Sequence, residues 1–404
     1  MTTKARWVGL LFTASVALGG CSGPDGENSS TNSSSSGGNN TPTKVGFLYV
    51  GPITDYGWTK AHEDGRLYLE NFGSNVTTVY EENVTPDTAA GIIDSMAADG
   101  AKVIFTTSFD FLQQAMAAPS RHPDLYTFNC AGFKTAHHFG SYQARVEEME
   151  YLTGMVAGRM TQSNKIGVVA ALRIYEQMVH INAFALGVRA VNPDAEVLVR
   201  WMGWWFDPER EATGTNELID EGVDVIKGLT DTNIPLATAR DRGVYSIGHD
   251  SKDGCSIAPE KCLVTSYYNW GPLYVKLVDE VVNGTYPEGG RSDYPSVADL
   301  DVIGLSPYAT VVPESVRTEV DAKKADIIAR RFNVFQGPFN HDDGTTWVAS
   351  GEVLSDQDLL CTNRYVAGVR DFHGPDCGAD AECGANMTCV AGKCTAPDYS
   401  GCTP

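Results

Sequence analysis

Short apolar runs alternate with stretches in which apolar residues recur every three or four positions, and that alternation predicts the elements one by one. Residues 45–50 (VGFLYV) predict a buried strand and 58–72 a helix. Strand 76–80, helix 86–98, strand 103–106 (VIFT), strand 126–129 and helix 147–160 follow. Residues 166–170 (IGVVA) begin a second series: helix 176–191, strand 196–201, helix 208–221, strand 225–228, helix 235–242, strand 245–248 and strand 263–268. Runs that are apolar throughout mark strands covered on both faces, and strand–helix alternation builds parallel sheets flanked by helices. One doubly wound sheet of this length would be crowded. The pattern therefore predicts an α/β fold of two such lobes, with Asn164 and Lys165 at a crossover between them.

Both ends depart from the pattern. Residues 7–18 (WVGLLFTASVAL) are apolar but shorter than the ~20 residues a bilayer span needs. Lys4 and Arg6 precede them, and Leu18-Gly19-Gly20-Cys21 follows, which reads as a signal peptide over residues 1–20. A Leu, two small residues and a Cys resemble the bacterial lipobox, which implies cleavage before Cys21 and lipidation of its thiol. The alternative is an ordinary secreted chain whose Cys21 pairs elsewhere. Residues 21–43 are Ser, Gly, Asn and Thr with almost no apolar side chain, a flexible tether. These features predict a protein of the cell envelope, lipid-anchored to the periplasmic or extracellular face of a bacterial membrane.

At the other end, residues 372–404 are rich in Cys, Gly and Ala and poor in large apolar residues, so they need a covalent staple. Ten Cys are present. Cys130 ends an apolar stretch and reads as a buried thiol. Cys255 and Cys262 bracket a polar segment and predict a local disulfide. Cys361, Cys377, Cys383, Cys389, Cys394 and Cys402 read as a disulfide framework in an exported tail. Zinc is the rival for that group, but the spacing lacks a CxxC knuckle and His373 is the only His nearby.

Charge narrows the partners. The chain carries Lys+Arg 30 against Asp+Glu 51, a net −21, with no basic stripe, which argues against nucleic acid. No GxSxG, HExxH, GxxxxGK[ST] or strand-linked GxGxxG occurs, so the residues suggest neither an enzyme nor a cofactor. His137 and His138 are adjacent; on a strand they would point to opposite faces and could not chelate one ion.

Ligands of open α/β sheets bind beyond the carboxyl ends of the strands. Those loops hold Asp55 and Trp58, Ser108 and Phe109, Trp205, Phe206 and Asp207, Asp231, His249 and Asp250, and Asn269. Their aromatics suit a flat ring, and their carboxylates can accept hydrogen bonds from its N–H groups. The plainer reading is core packing by the aromatics and helix N-capping by the Asp residues; Asp207 before Pro208 is an ordinary helix start.

Several segments together resemble the Bmp family of substrate-binding lipoproteins, the purine-receptor group of ABC importers. They are KVGFLYVGPITDYGWTKAHEDGR, VIFTTSFDF, YLTGMVAGRMTQSNKIGVVAA, INAFALGVRAVNP, WWFDPERE, ELIDEGVDVI, WGPLY and VFQGPF, in family order from about 44 to 371. The resemblance implies two Rossmann-like lobes of the periplasmic-binding-protein type 1 fold, joined by a three-strand hinge with the ligand cleft between. Lobe one would take about 44–163 plus 270–301, and lobe two about 164–269 plus 302–371. The family's base lies between aromatic rings with Asp side chains on its polar edge. The matching ligand-binding positions are Asp55, Trp58, Ser108, Phe109, Trp205, Phe206, Asp231 and Asp250. Asn269 stands near the position where nucleoside-binding members carry a Lys, which weighs toward a free base such as adenine. Leu172-Arg173-Ile174-Tyr175 replaces a small, Pro-rich stretch at the pocket mouth.

The expectation is a non-enzymatic, lipid-anchored protein that captures a purine base or nucleoside and presents it to an ABC permease of the inner membrane. A ligand-sensing envelope receptor of the same fold is one alternative. An exported nucleoside hydrolase is another, and it would need a clustered-Asp calcium site. A structural envelope protein held by its Cys-rich tail is a third.

Overall fold

The computed structural model describes residues 41–132, 134–360 and 362–372, and two short strands, Thr388–Val390 and Lys393–Thr395. The predicted signal peptide, Cys21, the tether as far as residue 40, and Cys361, Cys377, Cys383 and Cys402 lie outside those residues. So do the side chains of Cys389 and Cys394.

The first sheet is built from the strands of the first series: β1 (Thr43–Leu48), β2 (Val76–Glu81), β3 (Ala101–Thr106), β4 (Tyr126–Cys130) and β5 (Phe139–Tyr142). Their connections carry helices α1 (Trp58–Phe72), α2 (Pro86–Ala98) and α3 (Leu112–Arg121). Val45, Phe47, Val103, Phe105 and Phe128 are fully or almost fully buried, as runs covered on both faces require. Helix α4 (Glu147–Met160) leads to the second sheet, whose first five strands are β6 (Lys165–Ala170), β7 (Glu196–Trp201), β8 (Val225–Leu229), β9 (Tyr245–Gly248) and β10 (Cys262–Tyr268). Helices α5 (Tyr175–Val191), α6 (Pro208–Asp220) and α7 (Ile234–Asp241) connect them.

The chain then returns. Helix α8 (Gly271–Val282) packs on α1, and β11 (Ser292–Asp293) joins the edge of the first sheet beside β5. A last crossing brings β12 (Ile303–Leu305) to the second sheet, followed by α9 (Glu314–Ile328), the hairpin β13 (Phe339–Asn340) and β14 (Thr346–Val348), α10 (Asp356–Leu360) and β15 (Val369–Asp371). The sheet orders are β11-β5-β4-β3-β1-β2 and β12-β10-β9-β8-β6-β7-β15. The chain thus forms two α/β lobes, with three crossings between the sheets. The expectation of wholly parallel sheets needs one correction: β12 runs antiparallel to β10. It returns from the other sheet instead of arriving through a crossover helix, so no rule binds its direction.

The pattern predicts neither α3 nor β5. Helix α3 contains Pro119, and its buried face of Leu112, Ala115, Ala118 and Pro119 is mostly small, a weak apolar signal. Strand β5 is only FGSY, yet all four residues are buried. Helices α4 and α5 cross closely: a Cβ on Gly154 would lie 2.0 Å from the Phe184 carbonyl oxygen, and one on Gly187 1.9 Å from that of Tyr151. Only glycine permits that approach. It sets α4, which follows the first crossing, firmly against the second lobe.

His137 and His138 do not sit on opposite faces of a strand. His138 has φ +53° in a turn, and the two rings stack at 3.9 Å, with Tyr126 4.0 Å from His138. Cys255 and Cys262 are joined by a disulfide, and Cys130 is a buried free thiol.

Candidate ligand-binding site

The carboxyl ends of the strands of both sheets face one cleft, which holds a cavity of about 30 Å³. That is room for about one water molecule, so the walls stand close together and a ligand enters only as the lobes part. Lobe one supplies Val50, Trp58, Ser108, Phe109 and Ala131. Lobe two supplies Glu176, Gln177, Trp205, Leu229, Asp231, His249 and Asp250. The lining carboxylates all come from lobe two, and the rings come from both lobes.

Each ring is fixed by its surroundings. Trp58 opens α1, and its Nε1–H donates to the Thr107 carbonyl at 2.6 Å. Its ring also meets Tyr268 of the other lobe edge-on, 5.4 Å between centroids. Ser108 caps the single 3₁₀ turn Phe109–Phe111, its Oγ accepting from the Asp110 N–H at 3.2 Å, and that turn sets Phe109 in the wall. Trp205 is half-buried on the loop after β7, and its carbonyl accepts from the Asp231 N–H at 3.0 Å. One loop thereby orients the other.

Electrostatics set the acids apart. Burial pushes the Asp231 carboxyl well above its ordinary range, reinforced by the charges of Asp250 and Asp55. Glu176 opens α5 and is pushed up to about 7 by burial and then by Asp250, while Gln143 Nε2 of the other lobe donates to its Oε1 at 2.6 Å. His249 differs. Burial alone would lower it, but the Asp250 and Glu150 carboxylates outweigh that and raise it to about 9. Asp250 takes φ +67°, which turns its backbone sharply at the end of β9. Gln177 Oε1 is buried without a hydrogen-bond partner in the protein, and the Trp205 indole N–H faces the Asp110 carboxyl. An unsatisfied buried acceptor on the cavity wall is costly unless a bound molecule meets it.

Of the nine predicted ligand positions, six line this cavity: Trp58, Ser108, Phe109, Trp205, Asp231 and Asp250. Three do not. Asp55 caps α1, its carboxylate accepting from the N–H groups of Gly57, Thr59 and Lys60 at 2.9–3.0 Å. The capping alternative therefore holds for Asp55, although its buried carboxyl, raised to about 6, still acts on Asp231. Phe206 points out of the cavity and is 47% exposed, because neighbouring residues of an extended loop face opposite ways. Asn269 donates to the Asp301 carbonyl at 2.7 Å and ties two interlobe segments together. Asp207 caps α6, accepting from the Arg210 N–H at 3.0 Å.

Sequence reasoning missed Glu176 and Gln177, and it placed His249 at a strand end without a ligand role. The strand-end rule would have found the first two if applied to the loop after β6 as far as the first turn of α5. In that loop Tyr175 Oη–H donates to the Ala131 carbonyl of lobe one at 3.0 Å, and Arg173 pairs with Asp371 at 2.9 Å. Among the described residues no group of three or more His, Cys, Asp or Glu is placed to hold a metal ion.

The chain can be compared with known proteins on this basis. Residues 42–335 match the Bmp family model, described as ABC transporter substrate-binding protein PnrA-like. A purine-binding protein of Brucella abortus is 36% identical over 330 residues, 81% of this chain and 93% of that protein. A Haloferax volcanii protein named for glucose binding with an ABC transporter is 31% identical over 72% of this chain and 73% of its own length. Among solved structures, an ABC transporter solute-binding protein of Aeropyrum pernix superposes with a TM-score of 0.61 at 19% identity, over 74% of this chain and 95% of that one. A family model that spans most of the chain, a shared two-lobed fold and a cleft at the strand ends agree: the chain belongs to the Bmp family of ABC transporter substrate-binding proteins.

Proposed function

We propose that the protein captures a purine base, adenine before the others, or a nucleoside, and delivers it to an ABC permease while held to the membrane through a lipid on Cys21. Substrate-binding proteins of ABC importers take a small molecule outside the cytoplasmic membrane and hand it to a permease. Among the described residues no helix is long and apolar enough to cross a membrane. An anchor, on this reading, comes from the leader and Cys21.

The observation that carries the purine reading is the wall composition. Trp58, Phe109 and Trp205 offer ring faces from both lobes, and Asp231, Asp250 and Glu176 meet at one polar edge. A purine has two flat faces and an edge that mixes donors with acceptors. The orphan Gln177 Oε1 accepts from such a donor. The 36% identity to a purine-binding protein supports the same choice. The mechanism is hinge closure on the ligand, with no bond made or broken. Closure excludes water, and the ligand satisfies polar groups that would otherwise be stranded.

Calorimetry with adenine, guanine, adenosine, guanosine, inosine and glucose tests this. The expected result is a purine Kd below about 100 μM, roughly −5.5 kcal/mol. Binding of glucose alone would remove the purine assignment and leave the substrate-binding role. Mass spectrometry of small molecules released on denaturation identifies a ligand carried through purification.

A further inference from the structure

Behind the cavity wall lies a charged group that ligand contact alone does not explain. Lys227 on β8 and Glu150 on α4 are fully buried, with Lys227 Nζ 2.9 Å from Glu150 Oε2. Lys227 also donates to the Gly248 carbonyl at 2.8 Å, and Ser266 Oγ–H to Glu150 Oε1 at 2.6 Å. His249 completes the chain. Its Nδ1 lies 2.8 Å from Glu150 Oε1 and 3.2 Å from Ser266 Oγ, and its Nε2 2.9 Å from Asp250 Oδ1.

A neutral imidazole has one N–H and one lone pair, so one of its nitrogens would set a lone pair against a carboxylate oxygen. With the Ser266 hydroxyl proton given to Glu150, a ring with a carboxylate oxygen within 3 Å of each nitrogen is favoured as the cation, whose charge lies between the two acids. We propose that His249 is held as an imidazolium between Glu150 and Asp250, and that it is the positioning residue that keeps Asp250 a charged acceptor for N–H donors on the ligand edge. This rests on the purine reading for the ligand, but not for the state of His249.

The surroundings agree. Glu150 is held well below the usual carboxylate range: burial opposes this, and Lys227 and His249 overcome it. His180 of α5, its ring 5.3 Å from that of His249, is pushed down to about 3 by burial and the His249 charge, and stays neutral. Tyr268 of β10 meets His249 edge-on at 5.8 Å, and Glu176 of α5 faces the same charge. The cavity thus sets Asp250, against the His249 ring, beside two acids, Asp231 and Glu176, whose carboxyls are raised. A ligand edge with adjacent donor and acceptor fits that arrangement. A ligand with acceptors only would set its lone pairs against Asp250.

Two measurements decide the matter in the full chain. The first is a pH titration of the His249 ring nitrogens by NMR without ligand, with both expected to carry protons at pH 7 and to lose one near pH 9. A neutral His249 ring at pH 7 overturns the proposal whatever the ligand. The second is adenine affinity for His249→Gln, Asp250→Asn and the double variant. Each single change is expected to weaken binding at least tenfold, and the double no more than the worse single, because His249 acts through Asp250. Losses that multiply overturn the proposal. If the parent protein does not bind adenine, the purine reading falls, and the titration alone decides the charge of His249.

Discussion

Gly57 and Asp231 meet across the cleft: a Cβ built on Gly57 of lobe one would stand 3.0 Å from the backbone carbonyl oxygen of Asp231 in lobe two. The two walls therefore close to backbone contact beside the cavity, and the glycine permits it. Gly57→Val should hold the lobes apart. Ligand affinity is expected to fall at least tenfold, about 1.4 kcal/mol, with little change in the melting of the ligand-free protein. Calorimetry and a thermal scan check the pair; unchanged affinity would mean that closure does not pass through this contact.

Asp231 and Trp205 are linked through the backbone bond between their loops, yet their side chains do different work. Asp231→Ala should cost about 1–3 kcal/mol of purine binding, the range for leaving a buried polar group of the ligand without its partner. Asp231→Asn should cost less, because burial already favours the neutral carboxyl that an amide imitates. Trp205→Ala should lose about 1–3 kcal/mol through stacking area. Equal losses for Ala and Asn at position 231 would contradict the neutral carboxyl.

Glu147, at the start of α4, is 2% exposed, and burial pushes its carboxyl up to about 8 against the pull of Arg145. Its folded value is above the unfolded one of about 4.3, so its contribution is fully present below that pH and is lost as pH rises through about 8. Glu176, raised to about 7, acts with the same sign. Glu147→Gln should match the parent near pH 4 and exceed it by on the order of 5 kcal/mol at pH 8. Urea melts at the two pH values read this directly.

Cys21→Ser should move the protein from the membrane fraction to the soluble fraction without altering its ligand affinity. Membrane fractionation and calorimetry are the readouts. Retention in the membrane would refute the lipid anchor.

Much of this molecule is legible in its sequence. Apolar runs such as VGFLYV and IGVVA are buried on both faces, so their composition alone specifies inner parallel strands and, with the helices between, a pair of α/β lobes. The strand-end rule then picked out the loops, and the loops brought Trp58, Ser108, Phe109, Trp205, Asp231 and Asp250 to one cavity. What the loops could not reveal was direction. Asp55 and Asp231 are both acids after strands, but one turns back to cap α1 while the other faces the cleft. Phe206 is one residue from Trp205 and points to solvent. Lys227, inside a run that reads as apolar strand, gave no sign of its partner, because Glu150 lies 77 residues away on a helix of the other series. Local pattern depends on neighbours in the chain and follows from sequence. The charge of His249 depends on Glu150 and Asp250 meeting one ring from two elements, and only tertiary structure decides that.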